Sequence, residues 1–456
     1  MIATALPSAP AGGLPAAARG SGLKRALALL VSFELWFALA LYANSYKLLI
    51  GYQPPVDENI ILAGVTVLLA IPILLREGLH LRALPTILAF ALFVAWAAFS
   101  FAWTPSRKLA PVTLTYYLTF LPWALIGASF VLAANRERCL RFLLIVFCLS
   151  LFLSGYGLWI YLTEGNFKYY VQTVWEVKAA YQLWSYATAS GAVIGFFFAI
   201  YAKFMSWRQI AFFSGFAVMI SFLFVSASRG ALIGTLLACL LFVLFMPWRL
   251  SRGRFELSRA QLVAAVLGLS ALGFAAYAFV AGLEFETINR FRSLLREAAN
   301  PELLLRPNRF RYYEQAVELF LRYPLIGTGL DGFSLFTKGR EVYGTHPHNI
   351  FLEAAANLGI VGLGLLVLFF WTAVRHLRLQ RFQADPLLLC AAGLFALHLF
   401  SALVSVDLAR HYMLFAFTGL LCLRPPAARS AAAVPVRLAA PTPATTRLRR
   451  LGMLWS

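Results

Sequence analysis

The stretch QIAFFSGFAVMISFLFVSASRGALIGTLLACLLFVLFMPW (209–248) contains two apolar runs, 209–227 and 230–248, separated by a short turn. An α-helix rises about 1.5 Å per residue, so about 20 apolar residues cross the roughly 30 Å hydrocarbon layer of a bilayer. The runs are continuous rather than alternating, which favours helices over the strands of a membrane barrel. The stretch therefore predicts a hairpin of two transmembrane helices.

Apolar runs of this kind recur along the whole chain of 456 residues. Hydrophobic residues make up 61% of it and charged residues 13%, whereas soluble domains average about 45–50% apolar and about 25% charged residues. This composition excludes an ordinary soluble enzyme and predicts an all-α integral membrane protein with about twelve transmembrane helices. The predicted spans lie near 26–44, 58–75, 83–103, 113–133, 140–162, 184–205, 209–227, 230–248, 262–283, 349–374, 386–404 and 410–423.

The predicted spans divide the chain into five segments. Residues 1–22, rich in Ala, Pro and Gly, are predicted to be a disordered cytoplasmic tail. Transmembrane helices 1–9 are placed in 23–283 and helices 10–12 in 349–423. Residues 284–348 form a long loop between them, and residues 424–456 form a basic cytoplasmic tail.

The long loop 284–348 is predicted to be a folded cap, because long loops within compact folds are usually functional or disordered and this one is not low-complexity. Its second half carries apolar residues at i, i+3, i+4, i+7 and i+8, the pattern of an amphipathic helix. Pro324 and the glycines after it end that helix. The apolar stripe consists of Tyr313, Ala316, Val317, Phe320 and Leu321.

The net charge of +20 comes from 39 Lys and Arg against 19 Asp and Glu. In a soluble protein this excess would suggest a nucleic-acid partner. If the N-terminus is cytoplasmic, however, 23 of these basic residues fall in cytoplasmic segments and seven in short outer loops. Cytoplasmic loops of membrane proteins are enriched in Lys and Arg. The distribution therefore predicts that both termini are cytoplasmic, and the charge is explained by topology and lipid contact without nucleic acid.

Two arginines are the candidate anion-binding residues: Arg229 in the turn between two spans, and Arg309 just before the amphipathic helix. An arginine guanidinium is planar, always charged, and binds phosphate oxygens in bidentate geometry. Arginine is disfavoured in short outer turns, so Arg229 at the mouth of a helix bundle indicates function. The alternative for both residues is contact with lipid headgroups or water.

Two of the six histidines, His346 and His348, fall together in HPHN (346–349), where the long loop re-enters the membrane. A neutral imidazole accepts a proton from a hydroxyl near pH 7. The alternatives are an interfacial histidine without a function and a metal ligand, but His-x-His alone is weak evidence for a metal. Because the sequence shows no paired carboxylates nearby, we predict neither a metal nor a cofactor.

Several further residues have open roles. Glu34 lies within the first predicted span, where a carboxylate requires a partner that the sequence does not name. Gly359, Gly362 and Gly364 are predicted to allow close contact between helices. Four aromatic residues are candidates for stacking on sugar rings, with an interfacial aromatic belt as the alternative. They are Tyr169, Tyr170, Trp175 and Tyr181.

Three motifs together resemble bacterial O-antigen ligases and the wider ligase/polymerase superfamily. In HPHNIFLEAAANLGIVGLG (346–364), His348-Asn349, nine residues and then Gly-Ile-Val-Gly match the family pattern His–(Asn/Ser/Gln)–x9–Gly–x–x–Gly. SRG (228–230) matches an arginine that the family places at an outer helix end. RFRYYEQAVELFLRYPLIGTGLDGF (309–333) resembles the family segment Arg–x3–aromatic…Pro–Leu–Ile–Gly–x–Gly. This alignment puts the family arginine on Arg309, or on Arg311 if the register slips by two.

The resemblance implies a multi-span (GT-C-like) glycosyltransferase architecture with a large periplasmic helical loop. Such ligases take O-antigen polysaccharide from undecaprenyl pyrophosphate and join it to a sugar of the lipid A-core on the periplasmic face of the bacterial inner membrane. The implied partners are this lipid-linked donor, the lipid A-core oligosaccharide as acceptor, and membrane lipids. The reaction is implied to need neither metal nor nucleotide.

The resemblance also assigns roles to the candidate residues. Arg229 and Arg309 are expected to hold the pyrophosphate and stabilise the charge that develops on it. His348 is the expected general base, which takes the proton of the acceptor hydroxyl, and attack from the opposite side would invert the anomeric centre. Three neighbours complete the expected substrate-binding set: Arg311, His346 and Asn349.

Two alternatives remain at this point. An O-antigen polymerase or a protein O-oligosaccharyltransferase of the same superfamily would use the same base and arginines with another acceptor. A transporter or flippase for lipid-linked sugars would instead require charges within the spans and repeat symmetry between halves. The few charges within the spans favour transfer chemistry at the outer surface.

Overall fold

The computed structural model is helical along the apolar runs of the sequence. Every element discussed below belongs to one unit, Ser32–Arg424. The predicted tail 1–22, nearly all of the predicted tail 424–456 and nearly all of the predicted span 262–283 lie outside the described residues. The structure describes residues 28–46, 57–174, 180–202, 205–245, 249–251, 254–256, 285–299, 309–375, 377 and 385–426, and the single positions 262, 273, 277 and 281.

The regular elements of the described part are as follows. The α-helices are α1 (Phe33–Tyr46), α2 (Glu58–Glu77), α3 (Leu84–Phe99), α4 (Leu109–Leu118), α5 (Phe120–Ile126), α6 (Arg136–Glu164), α7 (Phe167–Val174), α8 (Ala180–Tyr201), α9 (Trp207–Val225), α10 (Arg229–Phe245), α11 (Glu286–Ala299), α12 (Arg309–Arg322), α13 (Gly332–Lys338), α14 (Ile350–Val374), α15 (Pro386–Val404) and α16 (Tyr412–Leu420). The 3-10 turns are Leu81–Ala83, Ser100–Ala102 and Leu408–Arg410, and a π-helical segment spans Gly127–Leu132. Two short antiparallel strands are β1 (Arg249–Ser251) and β2 (Arg254–Glu256).

Within the described residues, eight helices are long and apolar enough to cross a membrane, which confirms a helical multi-span membrane protein. Helix α10 is apolar but shorter, α1 has 14 residues and α16 has nine. Twelve spans and the GT-C-like architecture therefore stay predictions. The eight candidate spans are Glu58–Glu77, Leu81–Ala102, Leu109–Leu132, Arg136–Glu164, Tyr181–Tyr201, Trp207–Val225, Ile350–Val374 and Pro386–Val404.

Helix α8 lies at the centre of the bundle. It contacts α6, α9, α10 and α15. In its most apolar 18-residue stretch 89% of the residues are buried, against 6% in the corresponding stretch of α2. A helix that is apolar on all sides is suited both to the interior of the bundle and to contact with lipid, so contacts with neighbouring helices decide which helices are central. Helix α2 therefore presents most of its surface to lipid, whereas α8 carries the packing that positions the helices around it.

One end of the bundle is rich in paired arginines, and we call it the arginine end. Arg136 at the start of α6 makes a bidentate pair with Asp385, both contacts 2.7 Å long, and Asp385 caps α15. Arg141 of the same helix donates to Glu34 at 2.7 Å. This contact identifies the partner of Glu34 that the sequence did not name. The 19 residues of α15 rise about 28 Å from this end to the opposite one.

We expect Glu34→Ala to destabilise the protein more than Glu77→Ala does. The Glu34 side chain is 4% exposed and that of Glu77 is 41% exposed, although each pairs with an arginine of α6. Hydrogen bonds to charged groups contribute about 1.5–3 kcal/mol when sheltered, and exposed ion pairs contribute about 0–1 kcal/mol. Thermal unfolding of the detergent-solubilised variants measures the difference. Equal melting temperatures for the two variants would contradict a structural role for the Glu34 pair.

Candidate functional site

The two candidate histidines lie at the end of the bundle opposite the arginine end, immediately before α14. Asn349 begins that helix: its side-chain oxygen accepts from the backbone N–H groups of Phe351 and Leu352 at 3.0 and 3.2 Å. His348 has a φ of 56°, a left-handed conformation that costs energy for a residue with a side chain. The turn places the His346 and His348 rings with their centroids 4.2 Å apart.

Both imidazoles are held in the neutral form. Burial, followed by the charges of Arg410, His411 and Arg309, lowers the pKa of His346 to about 3. Burial, followed by His346 and Arg309, lowers the pKa of His348 to about 3, while a backbone hydrogen bond with Ser405 acts in the opposite direction. Neutral histidines can accept protons at pH 7, which a general base requires.

Each histidine has one ring nitrogen without a partner in the described part of the chain. The Nε2 atom of His346 and the Nδ1 atom of His348 are buried and have no hydrogen-bond partner among the described residues. Buried polar atoms are usually satisfied, so an orphaned one is unusual and often belongs to a functional site. The His348 Nδ1 atom is therefore our candidate acceptor for a substrate proton.

Arg309 begins α12 and lies beside these histidines. Its Nη1 atom donates to the carbonyl oxygen of Val404, and its charge is close enough to lower the pKa of both imidazoles. His348 interacts with the backbone of the next residue, Ser405. The 404–405 segment, at the C-terminal end of α15, thus brings Arg309 and His348 together.

Arg229 approaches the same segment from another helix. It begins α10, and a Cβ atom added at the adjacent Gly230 would lie 2.4 Å from the Tyr186 hydroxyl and 3.6 Å from Val404 Cγ2. Glycine at 230 therefore lets the start of α10 approach Tyr186 closely, with Val404 at ordinary contact distance. Arg309 and His348 meet at the 404–405 segment, and the residue after Arg229 lies beside the same segment.

Arg290 of α11 supports the Arg229 turn and was not singled out by the sequence. Arg229 donates to the Arg290 carbonyl oxygen at 2.6 Å. The Arg290 guanidinium donates to the Tyr181 hydroxyl at 2.9 Å and to the Ala227 carbonyl at 3.0 Å. Ala227 has a φ of 64°, so this contact holds a strained turn in place. The only sequence signal for Arg290 was its place in an arginine-dense stretch.

The remaining predicted site residues are placed less directly. Arg309 and Arg311 are both exposed, but they lie two positions apart on α12, and residues i and i+2 of a helix do not face the same side. Arg309 is the one that contacts Val404 and acts on the pKa of His348. The geometry thus favours Arg309 over Arg311 as the arginine that faces His348. The Asn349 oxygen is committed to capping α14, which leaves its amide nitrogen for a ligand. Binding roles for both residues stay predictions.

Arg410 is a further cation at this end, where the sequence offered only its spacing from Asp407. The two side chains pair at 2.8 Å, and the Arg410 guanidinium lies 4.4 Å from the centre of the Tyr343 ring. Glu353 of α14 is 4% exposed and accepts from the Leu408 backbone N–H at 3.0 Å. These contacts fix the 404–411 connection against α14 and add positive charge beside the histidines.

The amphipathic helix predicted in the long loop is α12, but its packed face differs from the predicted stripe. Ala316 and Leu319 are buried and pack against Phe333 and Ala356, whereas Val317 and Leu321 are 44% and 71% exposed. Contact with α14 determines the buried face, and the pattern of apolar residues alone does not show where α14 lies. The exposed apolar residues leave one side of α12 free for the membrane surface.

The glycine-rich turn after α12 is joined to a break inside α14. Gly359 has φ 66° and ψ −166° within that helix. At the break, the backbone of Ile360 donates to Pro324 at 2.8 Å, and Gly329 donates to Asn357 at 2.8 Å. The sequence predicted close helix contact for this glycine, and the close contact is with a loop. The turn thereby fixes α12, and with it Arg309, against α14.

The structure says less about the sugar-stacking aromatics and about metal binding. Of the four candidate sugar-stacking aromatics, Tyr181 contacts Arg290, Tyr169 is 69% exposed, and Trp175 lies outside the described residues. Sugar stacking stays a prediction for them. In the part of the chain that the structure describes, no cluster of three or more His, Cys, Asp or Glu is arranged to hold a metal ion. Metal independence also stays a prediction.

Comparison with known proteins gives one family. The model of a family described as O-antigen ligase matches residues 214–367. No curated protein matches the chain. The matched segment contains both candidate arginines and both candidate histidines, together with Arg290, the glycine-rich turn and the first part of α14.

Proposed function

We propose that this chain, whose residues 214–367 match the model of a family described as O-antigen ligase, is a member of the O-antigen ligase/polymerase superfamily and transfers O-antigen polysaccharide from undecaprenyl pyrophosphate to a sugar of the lipid A-core. The observation that carries the proposal is the meeting of a neutral His348 with Arg309 at the 404–405 segment, and we propose that Arg229, at the adjacent start of α10, is the second cation. A base beside two cations suits a reaction in which a hydroxyl loses a proton and a phosphate gains charge.

In the proposed mechanism, Arg229 and Arg309 hold the pyrophosphate of the donor. The bond between the anomeric carbon and the phosphate oxygen breaks, and the two guanidinium groups stabilise the negative charge left on that oxygen. His348 Nδ1 removes the proton of the acceptor hydroxyl. The oxygen of that hydroxyl attacks the donor sugar on the face opposite the pyrophosphate, so the anomeric centre is inverted. Arg311, His346 and Asn349 are proposed to contribute to binding, and we propose no metal or nucleotide for the reaction.

The proposed orientation places this reaction on the periplasmic face of the inner membrane, with both termini in the cytoplasm. Arg136, Arg138 and Arg141 lie at the arginine end, about 28 Å from the histidines along the 19 residues of α15. Basic residues prefer the cytoplasmic side, so the arginine end is assigned to the cytoplasm. The lipid-linked donor and acceptor would then meet at the histidine end.

Donor binding is expected to strengthen the base. A pKa of about 3 for His348 leaves the imidazole neutral but weakly basic at neutral pH. A general base is most effective when its pKa lies near the working pH, so a higher pKa would improve catalysis. Arg309 is one cause of the low value, and the negative pyrophosphate would offset its charge. A nearby negative charge favours the protonated imidazole and raises its pKa. Binding of the lipid-linked glycan would therefore make His348 a stronger base before the hydroxyl of the lipid A-core reaches it.

We expect this coupling to appear in the pH dependence of transfer. The ratio kcat/KM for the donor reports the free enzyme, and kcat reports the substrate complex. With a free-enzyme pKa of about 3 for His348, protonation of this base should not depress kcat/KM between about pH 5 and 8. The acid limb of kcat should lie at higher pH than that of kcat/KM. Coincident acid limbs would show that donor binding leaves the base unchanged.

The function is tested by reconstitution of the full-length chain in liposomes with undecaprenyl-pyrophosphate-linked O-antigen and lipid A-core. Glycan-modified lipid A-core, formed equally well in the presence of a chelator, supports the proposed metal-independent ligase. Lengthening of the lipid-linked glycan without an acceptor would instead indicate a polymerase, and transfer to an added protein acceptor would indicate an O-oligosaccharyltransferase. Movement of the intact donor between leaflets without transfer would indicate a flippase and contradict the enzymatic proposal.

A further inference from the structure

A cleft opens at the histidine end where the end of α1, the start of α2, helices α4 and α5, and the start of α16 meet. Its walls include Asn44, Asp57, Asn59, Tyr116, Trp123 and Tyr412. All of these residues lie outside the segment 214–367 that matches the O-antigen ligase family. The cleft is therefore built from parts of the chain to which the family match gives no role.

The polar side chains of the cleft form a chain of hydrogen bonds with groups left over. Asn59 donates to the Asn44 side-chain oxygen at 2.9 Å, and Asn44 donates to the Tyr412 hydroxyl at 2.9 Å. An amide offers two N–H donors and a carbonyl acceptor, and a phenol both donates and accepts. The Tyr412 O–H hydrogen and the Asn59 Oδ1 atom make no hydrogen bond within the described residues. At least one donor and one acceptor thus remain for a ligand.

The opposite wall is aromatic. The Tyr116 and Phe120 rings lie with their centroids 5.3 Å apart at an interplanar angle of 35°. The Trp123 indole N–H donates to Thr66 at 2.7 Å, so the indole contributes ring surface rather than its polar atom. Aromatic faces are electron-rich and attract positively polarised edges, such as the C–H groups on one face of a sugar ring.

The charge of the cleft distinguishes it from the phosphate-binding arginines. Among the described residues that line it, none is Lys or Arg, and Asp57 supplies a carboxylate. A phosphate or an acidic sugar finds no cation among these lining residues, whereas a neutral ring that carries hydroxyl groups matches the amides, the phenol and the aromatic wall. A few placed polar groups among apolar walls are typical of small-molecule sites.

The cleft adjoins the candidate site. Tyr412 also lines a second cavity with Tyr186, Arg410 and His411. That second cavity lies on the side of the candidate site, since Tyr186 contacts the position of Gly230 and the charges of Arg410 and His411 act on His346. A glycan whose reacting sugar lies at His348 can therefore extend its neighbouring residues towards α1 and α2.

We propose that this cleft binds a neutral sugar residue of the glycan next to the reacting sugar, and so selects which glycan is used. The proposal rests on the proposed transfer function. The same chemistry fits a sugar of the donor polysaccharide or one of the lipid A-core acceptor. The segment 214–367 would then supply the reaction, and the flanking helices would supply the choice of substrate.

The test uses the full-length chain in detergent and two soluble, dephosphorylated probes: core oligosaccharide freed from lipid A, and oligosaccharide of the O-antigen repeat. Saturation-transfer NMR measures binding of each probe to the wild type and to Tyr116→Leu, Asn59→Leu and Tyr412→Phe. We expect one probe to bind, and each substitution to weaken its Kd by about tenfold, the effect of losing one good contact. The probe that binds identifies the source of the sugar. The KM of the matching lipid-linked substrate should rise by a similar factor while kcat stays within about twofold.

Thr115→Val is the matched control, because this neighbour of Tyr116 is exposed and its hydroxyl bonds only to the Pro111 carbonyl of its own helix. Tyr412→Phe removes a single oxygen, so it remains informative if the leucine variants fold poorly. Unchanged binding in Tyr412→Phe and in the folded leucine variants, or no binding of either probe, would overturn the proposal. If the wild type transfers glycan and the KM values of these variants are unaltered, the proposed role of the cleft is refuted and the proposed function is not. Probe binding without any transfer would refute the proposed function alone.

Discussion

His348→Ala is expected to lower kcat for glycan transfer by about 10²–10⁴-fold, the usual contribution of a general base. The imidazole is neutral, its Nδ1 atom is buried without a partner among the described residues, and it lies beside Arg309. Removing it leaves the arginines in place, so binding of the lipid-linked donor should persist. The measurement is single-turnover transfer in proteoliposomes, with donor binding followed separately.

His346→Ala is the control for this prediction, because the two rings are only 4.2 Å apart. We expect a smaller loss from it, since the backbone hydrogen bond with Ser405 belongs to His348. A second matched pair lies on α12, where Arg309→Gln should impair donor binding strongly and Arg311→Gln should have the smaller effect. An equal loss from both histidine variants, or normal turnover by His348→Ala, would remove His348 from the proposed role.

Gly359→Ala is expected to prevent correct folding or to lower stability by about 3 kcal/mol or more. The backbone at this position, φ 66° and ψ −166°, belongs to a region that is open essentially only to glycine and costs other residues about 1–3 kcal/mol. A Cβ atom there would also lie 2.3 Å from the Leu325 carbonyl oxygen. Backbone on both sides must then move, and the turn that positions α12 would be lost. Thermal unfolding and size-exclusion profiles of the detergent-solubilised variant measure the effect.

Gly364→Ala provides the comparison within the same helix. An added Cβ atom at Gly364 meets no atom within 4 Å, and alanine is favoured over glycine inside helices by about 1 kcal/mol. This variant should be at least as stable as the wild type. If the two alanine variants unfold at the same temperature, the break in α14 is not important for stability.

Hydropathy predicted most of the helices, because the length of an apolar run and the thickness of a bilayer together determine a span. It could not predict interruptions. The run 113–133 is broken into α4, α5 and a π-helical segment, since backbone geometry at Thr119 departs from the helix without any change in hydropathy. The first span shows a similar limit: it was predicted at 26–44, and α1 occupies Phe33–Tyr46.

The candidate site was predictable only as separate residues. Motifs identified Arg229, Arg309 and His348, but the contact that joins Arg309 to His348 is the 404–405 segment, which carries no motif and begins 95 residues beyond Arg309. The pairing of Glu34 with Arg141 is likewise separated by 107 positions. Contacts over such distances depend on which helices are neighbours, and local sequence patterns contain no record of that.

Helix α15 is fixed at both of its ends, to Arg136 through Asp385 and to Arg309 through Val404. Spanning helices respond to a thicker or thinner bilayer by changing their tilt. A rigid rod that tilts about a pinned base displaces its far tip, and here the far tip carries the carbonyl that orients a guanidinium. We therefore expect a change of membrane thickness to shift the geometry of the reacting groups through the tilt of α15, without any bound effector.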